Sequence, residues 1–94
     1  MSNKKFKVIR EKLFDYINNS LIRNYDDLSF CNMYESLDIV NWDVELIFKT
    51  KRTLTTEEKN NLEFDIRKDL RKFLDDVFQM PYYDLAILII LDDT

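Results

Sequence analysis

Residues 38–49 read Asp38-Ile39-Val40-Asn41-Trp42-Asp43-Val44-Glu45-Leu46-Ile47-Phe48-Lys49, and their alternation decides the fold. Val40, Trp42, Val44, Leu46 and Phe48 fall on one side of an extended chain. Ile39, Asn41, Asp43, Glu45, Ile47 and Lys49 fall on the other. A period of two is the pattern of a strand with one face on a core and the other toward water. Immediately downstream, Thr55-Thr56-Glu57-Glu58 opens a helix, because Thr55 followed three positions later by Glu58 forms a capping box and acids in the first turn complement the helix dipole. Leu62, Ile66, Leu70, Phe73 and Val77 form its apolar stripe, widened by Leu74 and Phe78. Pro81 then ends it.

Working outward, residues 4–24 predict a first helix, with Phe6, Ile9, Leu13, Ile17 and Leu21 recurring at steps of three and four and with Phe14 and Tyr16 widening the stripe. Residues 28–35 read as a short strand, joined to the long one by a connection without an Asn-Gly turn signal. Tyr82 to Leu91 reads as a last strand, apolar on nearly both faces. The expected fold is therefore α+β and two-layered. The order is α-β-β-α-β in one domain spanning 1–94, with a three-stranded sheet and both helices packed on one face. The helix between the second and third strands is a crossover, which makes those two strands parallel.

Composition removes many functions. The chain has 94 residues, no glycine and no histidine. Without glycine no phosphate-cradling loop can bring its backbone up to a pyrophosphate. Without histidine there is no imidazole base, no Ser/His or Cys/His dyad and no nitrogen ligand for zinc. The order of elements is similar to that of type II KH-like RNA-binding domains. Those domains clamp nucleotides with a GxxG loop that this chain cannot build, so the family is not assigned.

Cys31 is the only cysteine, which excludes an internal disulfide; in an acid-rich stretch with no neighbouring base it reads as a small buried apolar residue. Asp43 and Glu45 project to one side of a strand without the further ligands that a metal or acid/base site needs, so no catalytic or metal-binding residue is assigned and no cofactor is expected. The longest apolar run, Leu85 to Leu91, is too short to span a bilayer. Lys4-Lys5-Phe6-Lys7 leads into charged residues and not into a secretory signal. The expectation is a cytoplasmic protein with no membrane partner and no evident small-molecule substrate.

Charge is polarised. Residues 1–23 carry six bases against two acids, whereas residues 24–48 carry six acids and no base, within a net charge of −4. If the helices cover one sheet face, then Ile39, Asn41, Asp43, Glu45, Ile47, Ala86, Leu88 and Ile90 lie on the other, which is the expected partner-binding surface. Burying Ile39, Ile47, Leu88 and Ile90 is worth about 1.5–3 kcal/mol each.

The favoured reading is a non-enzymatic interaction module that binds a partner protein or its own copy. Size and charge suit an inhibitor, immunity, anti-defence or regulatory-adaptor role. The Lys-, Asn- and Ile-rich composition suits a bacterial, phage or mobile-element genome. The alternative is nucleic-acid binding, with Lys4, Lys5, Lys7 and Arg10 on the first helix and Lys49, Lys51 and Arg52 after the long strand as phosphate contacts.

Overall fold

The structure, a computed structural model, describes residues 4–35, 42–79 and 86–93. Helix α1 spans Lys4–Tyr16 and runs on through a π-helical turn, Ile17–Leu21, and a 3-10 turn, Ile22–Asn24. Strands β1 (Leu28–Glu35) and β2 (Val44–Thr50), helix α2 (Thr56–Phe78) and strand β3 (Ile87–Asp92) follow. The sheet order is β1-β2-β3, with β1 antiparallel and β3 parallel to the central β2. This is the expected α+β architecture, including the parallel pair on either side of α2.

The core forms between one sheet face and both helices. Val44, Leu46 and Phe48 from β2, Ile87 and Ile89 from β3, Ile9, Leu13, Ile17 and Leu21 from the first helical segment, and Ile66, Leu70 and Leu74 from α2 make one buried cluster. The helices also meet each other through aromatics: Tyr16 of α1 stacks on Phe73 of α2 at 4.2 Å between centroids, and within α2 Phe78 supports Phe73 edge-on at 5.8 Å.

Three local devices shape this scaffold. In the π-helical turn the Ile22 N–H bonds to the Ile17 carbonyl, five residues back, which sets Ile22 beneath Ile17 with both buried. In β1 the register shifts between Leu28 and Phe30, so Leu28 and Cys31 share the core face although they are an odd number of residues apart. At the end of α2, Gln79 takes the left-handed conformation with φ 50°, and its N–H closes on the Asp75 carbonyl at 3.0 Å. That position is normally filled by glycine, which this chain lacks.

Some expectations are corrected. Phe14 and Val77 are exposed and not part of the core stripes. The α2 stripe descends Ile66, Leu70 and Leu74 at strict four-residue steps, which leaves Val77 on the margin at the helix end. The described part of the long strand begins at Val44; residues 38–41 of the expected strand, and 82–85 of the last one, lie outside the described residues. Leu54, in the connection into α2, is buried, which the strand and helix patterns did not signal.

Gln79→Gly relieves the left-handed strain and is expected to stabilise the fold by about 0.5–1 kcal/mol. Leu70→Ala, at a completely buried position, is expected to cost about 2–5 kcal/mol. Urea unfolding of the three proteins checks both.

Candidate interaction surface

The sheet face away from the helices is built by register. Three rows cross it: Phe30, Lys49 and Asp92; Asn32, Ile47 and Ile90; Tyr34, Glu45 and Leu88. Phe30 is 45% exposed, Tyr34 50% and Ile90 38%, while Ile47 and Leu88 are half-buried. The aromatics of β1 and the aliphatics of β2 and β3 thus share one sheet face with Asn32, Glu45, Lys49 and Asp92. Lys49 and Asp92, 3.4 Å apart, pair across one end of it.

Of the residues expected on this face, Glu45, Ile47, Leu88 and Ile90 are there, and Ala86 precedes the first of these on β3. Ile39 and Asn41 lie outside the described residues. Asp43 has a structural task. Its carboxylate accepts the Ala86 N–H at 2.9 Å while its own N–H donates to the Ala86 carbonyl at 2.8 Å, which fastens the start of β3 to β2. Phe30 and Tyr34 were missed, because the break at Ser29 hides their alternation with Asn32. Reading the pattern from Phe30 onward, and not from Leu28, reveals it.

The expected phosphate contacts whose side chains are described, Arg10, Lys49, Lys51 and Arg52, sit in different settings. Of Lys4, Lys5 and Lys7 only the backbone, in the first turn of α1, is described. Arg10 lines an open groove of about 350 Å³ between α1 and β1, together with Glu11, Phe14, Asp15 and Met33. The two carboxylates there oppose a phosphate. Lys51 is exposed. Arg52 is held by two acids, with Nε 2.9 Å from Asp27 and Nη2 2.6 Å from Glu58.

That clamp joins the β2–α2 connection to the capping box, in which the Thr55 hydroxyl accepts the Glu58 N–H and Glu58 accepts the Thr55 N–H. The Arg52 guanidinium, and then the Thr55 N–H, hold the Glu58 carboxyl down at about 2. Asp93 is also lowered, first by Lys59 at 3.1 Å and then by the Leu54 N–H.

Cys31 is buried, and burial pushes its thiol up to about 12, so the thiolate is scarce at neutral pH. Its backbone is engaged instead: the Asn18 Oδ1 accepts the Cys31 N–H at 2.9 Å and Asn18 Nδ2 donates to the Cys31 carbonyl at 3.1 Å. Tyr25 donates to Asp69 at 2.5 Å, and burial followed by that bond raises its phenol. Among the described residues no group of three or more Cys, Asp or Glu side chains converges on a metal-sized site, and no helix is long and apolar enough to cross a membrane.

Comparison with protein-family models, with curated proteins and with solved structures gave no match, so the surface is read from this chain alone.

The carboxyls of Glu58 and Asp93 are depressed in the fold. Their stabilisation is therefore present above the ordinary carboxylate range and lost as pH falls through it toward the folded values. Glu58→Gln is expected to flatten the acid side of the stability profile between pH 4.5 and about 2, read from urea midpoints. Cys31 is expected to resist a thiol reagent at pH 8 until urea unfolds the chain.

Proposed function

We propose that this protein is a non-enzymatic interaction module that recognises another protein through the outer sheet face. The observation that carries the reading is the placement of Phe30, Tyr34, Ile47, Leu88 and Ile90 on one sheet face, opposite both helices. Aromatic residues on a rigid sheet supply large contact area at little entropic cost, and such groups dominate interface energetics. Glu45 lies among them, Lys49 and Asp92 pair at one end and Glu35 stands at the rim, so the partner surface is apolar at its centre with polar groups around it. An inhibitor or adaptor acting inside the cell fits this chemistry, because binding uses a preformed face and asks for no cofactor.

Two substitutions on exposed or half-buried face positions, Tyr34→Asp and Ile47→Asp, test the reading. Each is expected to weaken a purified complex at least about tenfold, with little dependence on salt, because the central contact is apolar. Salt-sensitive binding to heparin, lost on changing Lys4, Lys5 and Lys7 to Glu and indifferent to the face variants, would overturn it in favour of nucleic acid.

A further inference from the structure

We propose that two copies of this chain pair antiparallel through the outer edge of β3, making one continuous six-stranded sheet. The two sheet edges are treated differently by the fold. Val44 and Asp43 donate to the Ala86 carbonyl, so the even-numbered residues of β3 turn their backbone groups toward β2. The odd-numbered ones turn outward, and Arg67 Nη1 donates to the Ile87 carbonyl at 3.0 Å from that side. Beyond Ile87 the outward N–H and C=O groups belong to Ile89 and Leu91. The run Ile87-Leu88-Ile89-Ile90-Leu91 contains neither the charge nor the proline that natural edges use against strand addition. On the opposite edge, by contrast, the Asn18 amide occupies both backbone groups of Cys31. Among the described residues no strand lies beyond β3.

The flank of α2 above this edge argues for a second copy as the occupant. Two contacts fix the helix over the strand in antiparallel sense, Arg67 on Ile87 and Lys59 on Asp93 at 3.1 Å. Phe64 lies between those anchors, three residues from Arg67 and so on the same flank, and it is 64% exposed. A two-fold axis at Ile90, which pairs Ile89 with the copy's Leu91 through their outward backbone groups, sets Phe64 against Phe64 of the copy. Glu57 and Arg71 are exposed and each lies seven residues from Phe64, two turns away on one side of the helix. The same axis therefore brings Arg71 opposite the copy's Glu57, twice. Strand, ring and charge are self-complementary under one symmetry operation, as an isologous interface requires. The pairing uses the strand edge and helix flank and not the outer face, so it stands or falls apart from the reading above.

Sedimentation velocity from micromolar to millimolar protein, with amide exchange followed at the same concentrations, tests the pairing. A dimer is expected in which the Ile89 and Leu91 amides gain protection as concentration rises. Phe64→Lys and Arg71→Glu are each expected to weaken it at least about tenfold. Adding Glu57→Arg to Arg71→Glu is expected to restore association. All these positions are exposed, so the fold remains as the common reference. A monomer at every concentration would overturn the proposal. So would a dimer that Tyr34→Asp dissolves while Ile89 and Leu91 exchange at a concentration-independent rate.

Discussion

Val44, Leu46 and Phe48 are completely buried, and the rest of the molecule is arranged around the strand that carries them. Strand β2 uses alternate backbone groups for β1 and for β3, and one set of side chains for the core. Both helices must dock on that single set, because a three-stranded sheet with two amphipathic helices has only enough apolar helix surface to cover one side. The parallel partner follows from the same strand: the chain leaves β2, crosses through α2 and returns beside it as β3. The uncovered face and the two strand edges are thus consequences of one packing decision.

How the fold treats those consequences is uneven. The β1 edge is met by Asn18, which the widened turn at Ile17–Leu21 places beside Cys31 while Ile17, Leu21 and Ile22 stay in the core. The start of β3 is fastened by Asp43 and Arg67, and its end by Lys59 through Asp93. Between these fastenings lie a run of aliphatic residues and the exposed Phe64 above them. Polar side chains are spent on the ends of strands and on the Asp27–Arg52–Glu58 clamp, which orients the entry to α2. Apolar side chains are left where another surface can meet them.

Much of this was readable from local pattern. Alternation over Val44 to Phe48 identifies the central strand and its buried side, and the Thr55–Glu58 spacing marks the first turn of α2; both signals rest on neighbours within a few residues. Glu45, Ile47, Leu88 and Ile90 could be placed on the outer face for the same reason. Phe30 and Tyr34 could not, since one bulged residue reverses the parity of β1. The exposure of Phe14 and Val77 was less plain, because each lies beside the strict four-residue row that packs on the sheet (Ile9, Leu13, Ile17 and Leu21; Ile66, Leu70 and Leu74), and which row is buried is set by docking.

The amino-acid sequence by itself determined the kinds and order of elements, the parallel crossover, and the exclusion of histidine- and glycine-dependent chemistry. Those follow from composition and from periods of 2 and 3.6, which are properties of short stretches. Tertiary structure alone decided that Asp43 is a strand fastener, that Arg52 is clamped between two acids, and that the β1 aromatics share a face with the β3 aliphatics. Each of these joins residues distant in the chain, and strand register, which no local period encodes, sets which of them meet.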